Sequence, residues 1–469
     1  MSSENQKKVI KEVLMIAVSA AITFLPPPAG LEHNAMVFLG VFVWVVLNWA
    51  LPVMPSYIAG LVMLLSAVLF GVVPFKTAFA TFGGATVWLI IGVLALGGAV
   101  NKTGLLSRLS FAILNVFPPS FRGQVAGLLA AGILIGPFMP STTAKVSIAG
   151  GFGTRIAELL GFEPHSKGMN GIFAAMYTGF SLLAAIFITS SFYSYLILGM
   201  IPAADASYFN FISWFLAMLP WGIFTAVVSF LAISFMYKPK TEKAMTHEDI
   251  KNMAKELGPM SRDEKITLGI LIVCILCWAL EKVIGVPAVI PAVGGMCALF
   301  ILKVLDPKEI NSKVNWGIII FCAAIISLAP MVKAVGIDKW MQANIGSIMS
   351  GVGSNPYVFI ISVSLLVLVS RFVLVSGTTA ISLMVVILVP FCQVANMNPW
   401  IGGIIAYVVA QPFFFKYQNP NFVIGYAAAG SDEMLSFKGL IPYSFVYHII
   451  AVVGMLISVP YWQYLGLIH

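Results

Sequence analysis

Two clusters of small and hydroxyl residues interrupt otherwise apolar stretches of this chain: Pro140-Ser141-Thr142-Thr143-Ala144 and Ser376-Gly377-Thr378-Thr379-Ala380. A helix broken there presents hydroxyls, unpaired amides and the positive ends of half-helices, a chemistry suited to carboxylate oxygens. Three cations also lie inside apolar segments: Lys145, Arg371 and Lys416. None of the 18 acids lies mid-segment. A cation at membrane depth costs about 3 kcal/mol or more unless it is paired or wetted, so an anionic ligand is the expected partner of these three. Ser190 falls in a polar patch of the first half, and Asn419 and Asn421, just after Lys416, in the corresponding patch of the second.

Each feature also has a structural reading. Ser and Thr pack helices together in membranes, and long cationic side chains reach an interface by snorkelling. Two clusters at matched positions favour a site. Lys416, at least 16 residues into its apparent span, is the cation hardest to explain by snorkelling.

The elements that must position these residues follow from composition. Of 469 residues 60% are hydrophobic and only 9% charged, with a mean hydropathy of +0.98. A soluble domain carries roughly 25% charged residues, so the chain belongs in a bilayer. The net charge of +8 is concentrated in loops between apolar spans, which the positive-inside rule explains without nucleic acid. The five cysteines lie in apolar runs, so neither a disulfide framework nor a zinc site is expected. No G-x-x-x-x-G-K-[ST], H-E-x-x-H or G-x-S-x-G sequence is found, and no catalytic carboxylate pair can be assembled inside the spans. An enzyme is disfavoured.

About 20 apolar residues cross a bilayer. Candidate spans are 10–26, 35–53, 56–74, 84–101, 170–199, 210–237, 265–281, 287–305, 315–334, 399–429 and 441–465. Segments 121–158 and 355–396 are broken in the middle and read as re-entrant hairpins. The expected fold is an all-α integral membrane protein of about 11 transmembrane helices plus two re-entrant hairpins. The charged stretch 238–264 is a cytoplasmic linker. It divides the chain into a first span with its lead-in (1–34), a first repeat (35–237) and a second repeat (265–469).

The halves echo each other. The hydroxyl clusters recur 235 positions apart, and Lys102-Thr103-Gly104-Leu105 has a counterpart in Ala334-Val335-Gly336-Ile337. An odd number of spans per repeat inverts the second copy. That is the inverted-topology plan of secondary transporters, whose sites lie where paired segments are interrupted.

The two hairpin tips, in a chain of this length and repeat, resemble the divalent anion/sodium symporter family of di- and tricarboxylate carriers. The resemblance covers nearly the whole chain in architecture, but its specific motifs are short. It implies a homodimer with scaffold and transport domains working as an elevator in a cell membrane. The family's usual tip is Ser-Asn-Thr, and this sequence has Thr142 and Gly377 where the two Asn would stand. The departure implies a sodium-independent exchanger, with Na⁺ retained only as an alternative and no other cofactor. Deep cations then perform the electrostatic work of bound Na⁺.

The expected function is therefore antiport of carboxylates such as succinate, malate, 2-oxoglutarate, tartrate or citrate. A Na⁺- or H⁺-coupled symporter and an anion channel are the rivals. The expected substrate contacts are Ser141, Thr142, Thr143, Lys145, Ser190, Arg371, Ser376, Gly377, Thr378, Thr379, Lys416, Asn419 and Asn421.

Overall fold

The computed structural model describes residues 3–51, 53–374 and 376–469, with side chains at all of these except 3, 4, 312, 313 and 345–352. The first half runs α1 (Ser3–Phe24), α2 (His33–Ala50), α3 (Ser56–Leu69), α4 (Ala85–Thr103), α5 (Leu105–Leu114), α6 (Phe121–Ile135), α7 (Thr142–Leu159), α8 (Lys167–Phe180), α9 (Phe192–Met200) and α10 (Phe211–Met236). A linker helix, α11 (His247–Lys255), precedes the second half. That half runs α12 (Arg262–Ala279), α13 (Val289–Ile301), α14 (Trp316–Ile326), α15 (Leu328–Ala334), α16 (Ile337–Val352), α17 (Pro356–Val373), α18 (Gly377–Val394), α19 (Trp400–Ala410), α20 (Pro420–Ala428) and α21 (Phe437–Tyr464).

The fold is all-helical among the described residues. Nine helical segments there are long and apolar enough to cross a membrane. The nine differ from the eleven expected spans for local reasons. Segment 399–429 is split by an unwound break, α3 and α13 are short, α1 and α12 each begin with a cluster of charged residues, and three hairpin arms qualify by length and composition.

Helices α5 and α16 lie outside every expected span. In α5 the buried residues Leu105, Leu106, Ser110, Phe111 and Leu114 form one stripe of a short amphipathic helix, too short to register as a span. Its start explains the weaker sequence echo. Gly104 has φ +78 and Gly336 has φ +74, the left-handed conformation that turns the chain from α4 into α5 and from α15 into α16.

The halves interlock reciprocally. Helix α4 packs on α13 as α14 packs on α3, and α7 packs on α20 as α18 packs on α9. Within each hairpin both arms pack on the helix that follows, α6 and α7 on α8, α17 and α18 on α19. The α6–α8 crossing is backbone to backbone: a Cβ on Gly132 would lie 2.1 Å from the carbonyl carbon of Gly179. Any side chain there would push the hairpin off its support.

Candidate functional site

Four helices begin at one place. At each hairpin tip a serine caps the second arm: Ser141 Oγ accepts from the Ala144 amide at 3.3 Å, and Ser376 Oγ from the Thr379 amide at 3.3 Å. At each break the second half-helix is capped too, by Ser191 Oγ from the Tyr193 amide at 3.3 Å and by Asn419 Oδ1 from the Asn421 amide at 2.9 Å. Thr142, Thr143, Gly377 and Thr378 head the two longer helices, where a helix leaves its first N–H groups without intrahelical partners.

These ends border a cavity of about 390 Å³. Ser141, Thr142, Thr143, Thr378 and Asn421 line it as the sequence suggests. One hydrogen bond joins each tip to the other half of the chain. Thr143 Oγ1 donates to Asn421 Oδ1 at 2.7 Å, and Tyr193 OH and Thr378 Oγ1 are 3.3 Å apart. Asn101, Tyr193 and Asn315 complete the polar lining. Sequence reasoning missed Asn101 and Asn315 because each abuts a span end, where polar residues are ordinary.

No lining residue is charged. The other expected contacts stand behind the wall. Lys145 is 0% exposed, and its Nζ donates to Ser190 O at 2.9 Å and Ser190 Oγ at 2.7 Å. Arg371, 2% exposed, donates from Nε to Ala410 O at 3.1 Å and from its two terminal nitrogens to the carbonyls of Leu374 and Gln418. Gln418 answers with a 2.8 Å bond to Arg371 O. Ser376 and Asn419 act as caps, and Asn419 Nδ2 also crosses the break to Gln411 O at 2.6 Å. Thr379 is buried behind its tip.

The expectation that cargo is the missing partner of all three cations is thus corrected. Lys145 and Arg371 each reach from a hairpin to the unwound break in the same half of the chain and satisfy its backbone carbonyls. Irregular backbone at membrane depth requires such partners. The guanidinium is close behind the second tip, since a Cβ on Gly377 would stand 4.0 Å from Arg371 Nη2. Both charges therefore raise the potential of the cavity without lining it.

Lys416 is corrected more fully. It is 45% exposed, bonded to Asp432 at 2.5 and 2.6 Å, and its Nζ lies 5.4 Å from the Tyr426 ring centroid. Asp432, sixteen residues on, was invisible as a partner because the chain doubles back through α20. Lys416, and after it the Tyr426 hydroxyl, holds the Asp432 carboxyl below its ordinary range. The pair's contribution is present above the ordinary carboxylate pKa of about 4 and is lost as pH falls through the lowered value. Lys416→Ala should therefore leave transport within about threefold of wild type, with parallel pH profiles from pH 5 to 8. A hundredfold loss would return Lys416 to the site.

Residues 6–468 match the family described as the sodium:sulfate symporter transmembrane region. The chain is 26% identical to the inner membrane protein YbhI of Escherichia coli over 84% of each chain. It is 25% identical to the chloroplastic dicarboxylate transporter 1 of Spinacia oleracea, over 83% of this chain and 70% of that one. The solved YdaH transporter of Alcanivorax borkumensis shares the fold, with a TM-score of 0.54 at 13% identity over 98% of both chains. With nine membrane-length helical segments among the described residues and a family match over nearly the whole length, the chain is a multi-pass membrane protein belonging to the sodium:sulfate symporter family of transporters, the divalent anion/sodium symporters.

Proposed function

We propose that this protein exchanges organic di- or tricarboxylates across the cell membrane by sodium-independent antiport. The observation that carries the reading is the uncharged cavity onto which four helix N-termini converge, with Lys145 and Arg371 buried behind its tips. An anion there meets amides, hydroxyls and two positive charges, with no acid in the lining. Relatives named a dicarboxylate transporter and a putative malate transporter support C4 acids such as succinate and malate as cargo. Larger acids such as 2-oxoglutarate, tartrate and citrate belong in the same panel.

Fixed side-chain charges cannot leave with the cargo. The empty cavity is then uncompensated and reluctant to cross, so a second anion must enter before the return. The reciprocal packing of the halves supports inverted repeats (35–237 and 265–469), eleven crossings and an elevator movement of the hairpins against α4 and α14, in a homodimer. The cavity is lined by Asn101 beside Lys102, which the positive-inside rule places towards the cytoplasm.

A second reading has its own observation. Thr142 Oγ1 and Thr379 Oγ1, one at each tip, are buried without a hydrogen-bond partner among the described residues, as hydroxyls awaiting an ion would be. Counterflow in proteoliposomes decides between the two. Labelled succinate should accumulate only when the lumen holds unlabelled dicarboxylate, with or without Na⁺. Uptake into empty vesicles that requires Na⁺ would establish symport instead, and single-channel currents would establish a channel.

A further inference from the structure

A larger cavity, about 650 Å³, lies far in sequence from the tips, between α1, α2 and α3. Helix α1 meets α2 closely at one point. A Cβ on Gly40 would stand 2.0 Å from Thr23 Oγ1, and Ser19 Oγ donates to Gly40 O at 2.6 Å. On the side towards α3 the two helices leave a trough. Ile16, Ala20, Val37, Val41, Val62 and Phe70 make its wall apolar.

One end of the trough is different. Glu12, at the head of the apolar run 13–25, lines it with a carboxylate. Glu12 Oε1 accepts from Trp44 Nε1 at 2.8 Å, whereas Oε2 is buried and has no hydrogen-bond partner among the described residues. A buried anionic oxygen without a donor is costly, so a cationic donor is the missing partner. From Glu12 to Phe24 the helix rises about 18 Å, close to the depth of one leaflet.

We infer that this trough binds one aminophospholipid, its ammonium on Glu12 Oε2 and an acyl chain along α1. Charge and length both select this occupant. The apolar face of a second copy of the chain would bury the Glu12 oxygen without supplying a donor. A lipid ammonium supplies up to three N–H groups at headgroup depth, and its chain fills the apolar remainder. The bound lipid holds α1, whose exposed Val9, Ile10, Val13 and Leu14 otherwise face only the bilayer, against α2 and α3.

The test is lipid retention by native mass spectrometry after delipidation. The purified full chain is exposed to phosphatidylethanolamine, its N-monomethyl and N,N-dimethyl forms, phosphatidylcholine or phosphatidylglycerol. Retention should fall stepwise as methyl groups replace N–H donors, with phosphatidylcholine and phosphatidylglycerol about tenfold weaker than phosphatidylethanolamine. Glu12→Gln should flatten the series. Ala20→Trp, which fills the trough and leaves the carboxylate in place, should abolish retention of every lipid. Equal retention across the series in the wild-type chain, or an unchanged series in Glu12→Gln, would overturn the inference. So would a change in oligomeric mass on Ala20→Trp with lipid retention intact, which would make the trough a subunit contact.

Discussion

Lys145→Met is expected, on the antiport proposed above, to lower sodium-independent exchange by about ten- to a hundredfold while the protein still folds. The substitution keeps an unbranched side chain, one heavy atom shorter, but removes the charge and its donors. Ser190 O and Oγ, now 2.9 and 2.7 Å from Nζ, lose that partner in a fully buried setting. Orphaning such groups costs about 1–3 kcal/mol, and each 1.4 kcal/mol is a factor of ten. The cavity also loses one of the two positive charges behind its wall.

The vacated pocket would present a carbonyl and a hydroxyl oxygen, ligands that suit a hard cation. Na⁺ should therefore restore part of the activity in Lys145→Met and leave the wild-type chain unchanged. The measurement is the initial rate of labelled succinate against internal malate, normalised to folded protein, with Na⁺ or choline outside. A variant that exchanges at the wild-type rate without Na⁺ would show that Lys145 serves packing alone, and built-in charge would fail as the basis of antiport.

The second large effect concerns movement. A Cβ on Gly97 of α4 would lie 3.0 Å from Pro140 Cδ and 3.2 Å from Pro140 Cγ, at the first hairpin tip. Gly97→Val adds three carbon atoms at this contact, the Cβ and its two methyl groups. Overpacking costs about 1–3 kcal/mol. If the hairpin slides along α4, the wedge should slow exchange by about ten- to a hundredfold. Carboxylate binding, read as thermal stabilisation by ligand, should stay within about threefold. Unchanged exchange would count against a sliding tip. Gly97 itself borders the cavity, so equal losses of binding and rate would show that the wedge acts by filling the site rather than by blocking movement.

Particular residues show where sequence reasoning stops. The Ser-Thr tips are legible because a hydroxyl cluster inside an apolar run has few explanations, and its recurrence at 235 residues removes most of them. Gly104 and Gly336 echo each other for a backbone reason, a left-handed turn that recurs at equivalent places. The cations mislead because sequence reports a buried charge without its partner. Ser190, Ala410 and Gln418 satisfy Lys145 and Arg371 through main-chain carbonyls, which every residue carries and none advertises.

The amino-acid sequence by itself determined that the chain is helical, lies in a bilayer, and breaks its apolar run at two hydroxyl tips. These follow from local hydropathy, helix geometry and the need to satisfy backbone groups away from water. Only the tertiary structure decided which groups face the cavity. Asn101 and Asn315 join Thr142 and Thr378 there, Lys416 leaves it for Asp432, and Lys145 and Arg371 stand behind the wall. A long side chain can reach the cavity, the interface or its own backbone from the same position, and the choice depends on donors and acceptors brought near from elsewhere in the chain.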